Sequence, residues 1–265
     1  MANDKIYKIT TLAALGAKLP IGFRGSVDYS TREWTAQEEI LVGEAIGDGG
    51  NVGHYCEAVL SVLAESFGGM KIWNDDKRLV SFQDFSVAMQ GAWMPDVLTA
   101  YTFLRYKSNP APLRMQLRDP DDRGKPFDFL ADVGSIEVRL PIDGCMTWTH
   151  ELLRPAMMGG RKITHLIMGP QKWDAIRTIT GNEVMSRVMV IASSVRGIPE
   201  FDERVETASI DMISSMRLSK PDLSALADGV EKHGLGPVFV AEAKSPKTRR
   251  PFEVAIPWRY GDFFD

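Results

Sequence analysis

The chain has 265 residues, enough for one large domain or two of ordinary size. Hydrophobic residues make up 44% and charged residues 25%, which supplies a core and excludes a mainly disordered chain. The net charge of -4 gives no support to a nucleic-acid or anionic-membrane partner, and no apolar run reaches the ~20 residues of a membrane span.

In chain order, residues 9–17 form a short apolar patch behind Lys5 and Lys8. A signal peptide is not expected, because Asp4 falls in the would-be basic region and no small-x-small cleavage site follows. Residues 19–25 carry two glycines and a proline and read as a loop or extended arm. Thr35 stands three residues before Glu38, as a capping box requires, so a helix is expected through Ile40, Leu41 and Ala45 to the glycines at 47–50. Residues 52–67 set Tyr55, Val59, Val62, Leu63 and Phe67 at spacings of three and four, predicting a second helix ended by Gly68 and Gly69. Ser81 opens a third helix with Phe85 and Met89. A fourth follows Pro95, with Val97, Leu98, Tyr101 and Leu104 beside a basic flank at Arg105, and Asn109-Pro110 breaks it.

The hydrophobic period then changes from 3.6 to 2. Residues 113–117 alternate, Asp119-Pro120-Asp121-Asp122-Arg123-Gly124 is a turn, and Phe127, Phe129 and Leu130 lie beyond it, predicting a hairpin. Residues 136–140 are another strand, with 146–149 as its partner. Residues 172–226 read as mostly helical, and a final hairpin (238–241 with 252–256) surrounds Ser245-Pro246-Lys247-Thr248.

A weak internal repeat runs through this order. Leu19-Pro20-Ile21 returns as Leu140-Pro141-Ile142, 121 residues on, and Lys125-Pro126-Phe127-Asp128 as Arg250-Pro251-Phe252-Glu253, 125 on. A Trp-Thr pair (Trp34-Thr35, Trp148-Thr149) is offset by 114. The expected fold class is therefore α+β, two related helical units each closed by a small antiparallel β-hairpin or sheet. Residues 1–132 form the first unit; residues 133–265 form the second, with an aromatic tail.

No chemistry-bearing constellation emerges. Of His54, His150, His165 and His233, only His54 lies near a cysteine, Cys56, and no HExxH, CxxC or EF-hand spacing occurs. Cys56 and Cys145 are expected to be reduced, buried thiols. Residues 48–53 are a glycine-rich loop without a phosphate-cradle pattern, and Asp75-Asp76 and the Asp119–Asp122 cluster read as solvated turn formers. Ser193-Ser194 lies in an apolar helix without a GxSxG elbow and reads as core-facing. No catalytic, cofactor-binding or metal residue is nominated, and no cofactor or enzymatic activity is expected. Arg105, Lys107, Arg114 and Arg118, with Tyr101 and Tyr106, fit either a nucleic-acid groove or a solvated helix flank; the acidic net charge favours the flank. Trp258, Tyr260, Phe263 and Phe264 crowd the last eight residues, either folded back on the core or docked in a partner pocket. With Trp34 they are the candidate partner-binding residues.

Residues 32–39, REWTAQEE after an LP-containing arm, resemble the start of baseplate hub and tail-assembly proteins of contractile-tailed bacteriophages. The helix at 95–106 with the strands that follow through 133–141 resembles their middle, and residues 252–264 their closing strand. The resemblance implies a non-enzymatic structural component of the tail baseplate, at or near the hub. A tail-assembly chaperone absent from the virion and a cellular adaptor are the alternatives. It implies other tail proteins as partners, among them the tail tube or tape-measure end, several copies in a symmetric assembly, and residence in the virion after assembly in the host cytoplasm. Relatives are expected to carry cysteines in a zinc-ribbon hairpin; here the turns hold Asp119-Pro120-Asp121-Asp122 and Ser245-Pro246-Lys247-Thr248, so no zinc is expected.

Overall fold

The computed structural model describes residues 7–47, 51–177, 183–201, 203–204 and 210–257. The chain opens with β1 (Tyr7–Thr11) and α1 (Leu12–Leu15), then the hairpin β2 (Lys18–Phe23) and β3 (Ser26–Thr31). Helix α2 (Ala36–Ile46) starts on the predicted Thr35–Glu38 capping box and stops at Gly47, which takes a φ of 62°. Helix α3 (Val52–Leu63) is capped by Asn51 and runs directly into β4 (Ala64–Phe67). Then come β5 (Met70–Lys71), the small hairpin β6 (Trp73–Asn74) and β7 (Lys77–Arg78), α4 (Phe82–Met89), α5 (Met94–Ser108), and the hairpin β8 (Leu113–Arg118) and β9 (Pro126–Ala131).

After a 3-10 turn at Val133–Ser135 the chain forms β10 (Glu137–Pro141), the hairpin β11 (Trp148–Met158) and β12 (Arg161–Met168), α6 (Trp173–Arg177) and α7 (Glu183–Ser194). Helix α7 runs straight into β13 (Val195–Ile198). A 3-10 turn (Pro199–Phe201), β14 (Glu203–Arg204), α8 (Ile210–Ser215) and α9 (Lys220–His233) follow. Strand β15 (Gly236–Pro237) and the hairpin β16 (Val240–Lys244) and β17 (Pro251–Ala255) complete the described chain.

Apart from α1 and the β6–β7 hairpin in the first run and β15 in the second, a similar order of elements occurs twice: a strand, a hairpin, two helices, two strands, two helices and a terminal hairpin. The sheets repeat as well, in the orders β2-β3-β4-β5 and β11-β12-β13-β14. Strands β1 and β10 pair antiparallel, centred on Ile9 and Arg139, and so join the two runs. Not every sequence marker falls at equivalent places. Pro126 and Pro251 both open the second strand of a terminal hairpin. Leu19-Pro20-Ile21 lies in β2, whereas Leu140 and Pro141 end β10; Trp34-Thr35 leads into α2, whereas Trp148-Thr149 opens β11.

Several local expectations are corrected. Residues 19–23 are strand, not arm; β2 is an edge strand, where Pro20 removes no ladder bond the sheet needs. The second helix stops at Leu63, because Tyr29 and Ser30 of β3 pair with Phe67 and Ser66 and draw 64–67 into the sheet. Gly68 and Gly69 turn β4 into β5 instead of ending a helix, and a Cβ on either would lie 2.3 Å from a carbonyl oxygen of Phe23 or Arg24. Strand β10 pairs with β1 and β15, not with residues 146–149. The stretch 172–226 contains β13 and β14 between its helices.

Two apolar clusters form. The larger gathers residues from Leu12 to Val138 and adds Trp173 and Ile256 from the second run. The smaller lies within 152–226. Helix α5 is buried on every side from Pro95 to Arg105, the signature of a central helix and not of an amphipathic one. The second terminal hairpin leaves the smaller cluster and packs on the first hairpin, where Phe127 and Phe252 meet edge-on with centroids 6.3 Å apart.

Candidate partner-binding site

Trp34 borders a hollow of ≈ 510 Å³ with Arg32, Leu63, Leu104 and Lys107. The end of β3, the loop leading into α2 and the last turns of α3 and α5 converge there. Arg32 is fixed in place. Its guanidinium lies 3.9 Å from the centroid of Trp73, 3.1 Å from Glu38, and donates to the Val62 carbonyl. The Thr35 hydroxyl, backbone N–H groups and Arg32 together overcome burial and hold the Glu38 carboxyl below its ordinary range. Trp34 is half-buried and donates from its indole nitrogen to Glu39. A held cation, an indole and Lys107 on one concave face are groups of recognition, suited to an aromatic or acid-bearing partner segment.

The four other nominated residues, Trp258, Tyr260, Phe263 and Phe264, lie outside the described residues. The basic group is not assembled as either reading expected. Arg105 is buried, and its guanidinium donates to the carbonyls of Asn109 and Ala111 past the end of α5, while Tyr101 is buried in the core. Arg114 pairs with Asp128 across the first hairpin at 2.7 Å. Cys56 is buried as expected, its thiol pushed up by burial and by Glu57, but Cys145 is exposed in the turn before β11. Ser193 and Ser194 face the core and bond back to the Val190 carbonyl.

The two terminal hairpins meet at their tips. Asp119, 2% exposed, accepts from Ser245 Oγ at 3.0 Å and from the backbone N–H groups of Asp121 and Lys247. Asp121 accepts from the Thr248 hydroxyl, and Lys247 Nζ reaches Asp122 at 3.0 Å. Burial opposes ionisation of Asp119, but these donors outweigh it and hold the carboxyl below its usual range. The Asp119–Asp122 turn, expected to be solvated, bonds directly to the turn at Ser245–Thr248. Among the described residues no group of three or more His, Cys, Asp and Glu is placed to hold a metal ion.

Sequence reasoning missed the buried carboxylates that tie helices to sheets. Asp96 of α5 accepts from the N–H groups of Ile21 and Gly22 in β2, at 2.8 and 3.0 Å. Asp222 of α9 accepts from Leu153 and Arg154 in β11, at 2.7 and 3.3 Å. Each follows a proline in the first turn of its helix, and they stand 126 residues apart. That Pro-Asp pair, almost in step with the Pro-Phe offset of 125, was the available signal. Glu57, also buried, accepts from Ser86 Oγ and from the indole of the fully buried Trp173, which carries the second run into the larger core. No family model matches the chain, and no curated protein or solved structure does either.

Proposed function

We propose that this chain is a non-enzymatic structural component of the tail baseplate of contractile-tailed bacteriophages, at or beside the hub, where it joins other tail proteins. The observation that carries the reading is the doubled order of elements with its two terminal hairpins locked tip to tip. We read the runs as two related units, 1–132 and 133–265, grown from one ancestral unit. Such a chain carries two similar runs tied together in one body, which suits a connector between larger bodies placed in several copies about an axis. The hollow around Trp34 supplies one contact face, and the aromatic residues at 258–264 a second. The protein would be made in the host cytoplasm and carried in the virion.

Mass spectrometry of purified particles tests this directly. The chain is expected in intact particles at a fixed ratio to the tube protein. Its presence in infected cells but absence from mature particles would make it an assembly chaperone instead. Trp34→Ala, at a half-buried position, is expected to leave the melting temperature within a few degrees while lowering incorporation into particles. Normal incorporation of that variant would remove Trp34 from the contact.

A further inference from the structure

A second concave face is larger. A groove of ≈ 830 Å³ runs between β9, β10 and the β16–β17 hairpin. Its floor is apolar, formed by Phe129, Ile136, Phe239 and Ile256. Its rim is acidic: Glu137, Glu231, Glu242 and Glu253 are exposed, and none forms an ion pair among the described residues. Asp132 also lines it, accepting from the Gly134 N–H. The cation in the lining, Arg139, is already engaged. It donates to the carbonyls of Glu231 and Lys232 at the end of α9, and its guanidinium lies 4.8 Å from the Tyr7 ring centroid.

Two of the acids oppose each other directly. Glu242 and Glu253 are cross-strand partners in the β16–β17 ladder, on its exposed face. Like charges in that position weaken a hairpin, and Lys244 on the same face bridges neither of them. A cation arriving from outside would turn this repulsion into attraction. A second copy of the chain cannot supply it by seating the same groove on itself, because that brings a second set of carboxylates.

We propose that this groove docks an extended segment of a partner protein that alternates apolar residues with lysine or arginine, the apolar side chains on the floor and the cations between the rim glutamates. The proposal rests on the reading of the chain as a joining protein, and it holds whether or not that joining takes place in a baseplate.

The test uses the full chain and a fluorescent peptide of alternating lysine and valine, with a glutamate–valine peptide as control, followed by anisotropy. The lysine peptide is expected to bind and to weaken steeply with salt, while the glutamate peptide does not bind. Glu137→Gln/Glu242→Gln/Glu253→Gln changes exposed side chains only and is expected to keep the fold, to melt no earlier, and to weaken the peptide about tenfold. A matched variant elsewhere, Glu44→Gln/Glu151→Gln/Asp174→Asn, is expected to leave binding unchanged. Hydrogen exchange with the peptide bound should slow in β10, β16 and β17. Equal loss in the two triple variants, equal binding of the glutamate peptide, or protection confined to other elements would overturn the proposal. So would tighter peptide binding after truncation at Pro257, which would assign the groove to the chain's own last residues. Absence of the chain from phage particles with peptide binding intact would refute the baseplate reading alone.

Discussion

Asp96 and Asp222 hold the same place in the two runs and do so under opposite conditions. Each sits after a proline at the head of its run's last helix, and each takes two consecutive N–H groups from the first strand of its sheet. Asp96 lies where α5 crosses the larger cluster, and the residue before its helix, Trp93, supplies no side-chain cap. Burial pushes its carboxyl up to about 7 against the pull of the Ile21 and Gly22 N–H groups and Lys172. Asp222 lies on the smaller cluster, and the hydroxyl of its N-cap, Ser219, bonds to it. There burial is outweighed by Ser219 and by the N–H groups of Leu153 and Arg154, and the carboxyl is held below its ordinary range. Both carboxylates are buried, and Asp222 adds the Ser219 hydroxyl to its two backbone donors, a further hydrogen bond that favours the charged form.

The pair therefore gives stability two opposite dependences on pH. The native chain binds the Asp96 proton more tightly than the unfolded chain, so stability falls as pH rises from about 3.8 to about 7. At 1.36 kcal/mol per unit the full swing is about 4 kcal/mol. Asp222 works the other way: its contribution is present above the ordinary carboxylate value and is lost as pH falls below it. Urea unfolding of the wild type and of Asp96→Asn across pH 3 to 8 checks this. The variant is expected to lose the decline between 4 and 7 and to keep the acid-side loss. Parallel curves for the two proteins would show that the Asp96 site ionises like an exposed carboxyl.

Removing the third donor of Asp222 separates hydrogen bonding from burial. Ser219→Ala takes away both the cap of α9 and the hydroxyl on Asp222, at a cost of about 1–2 kcal/mol. It is also expected to move the Asp222 carboxyl upward, towards the behaviour of Asp96. Carbon-detected NMR titration of the Asp222 carboxyl reads this independently of stability; an unmoved midpoint would leave the difference to burial alone.

The parts of the fold that were legible in the sequence are those set by local chemistry. The Thr35–Glu38 box, the Ser81 cap and the first hairpin each announce themselves within a few residues and stand where the spacing places them, while the last hairpin forms around the expected turn with its first strand at 240–244 instead of 238–241. The parts that were not legible are set by distant partners. Residues 64–67 continue a helical spacing, yet pairing with β3, more than thirty residues earlier, and with β5 makes them a strand. Arg105 looks like the start of a basic flank, yet the carbonyls of Asn109 and Ala111 fold back over it and bury it. The hollow at Trp34 draws Leu63 and Leu104 from two other helices, so no local pattern marks it. The repeat shows the same division. Its Pro-Phe marker is a local strand start and falls at equivalent places, while the LPI and Trp-Thr markers do not.

The hairpin tips carry the comparison between runs to its smallest scale. Asp119-Pro120-Asp121-Asp122 and Ser245-Pro246-Lys247-Thr248 open corresponding hairpin turns with opposite chemistry, acceptors in the first and donors in the second. The buried part of that contact is Ser245 on Asp119, and the exposed part is Lys247 on Asp122. Lys247→Ala keeps the backbone donor to Asp119 and removes only the ammonium, so the expected loss is about 0.5 kcal/mol, fading as salt rises. The double exchange Asp122→Lys/Lys247→Asp should recover most of that loss, because the pair is exposed and its turn geometry belongs to the backbone. A loss well above 1 kcal/mol, or no recovery on exchange, would mean that the ammonium also serves the buried Asp119, and that the two tips depend on charge as well as on hydrogen bonds.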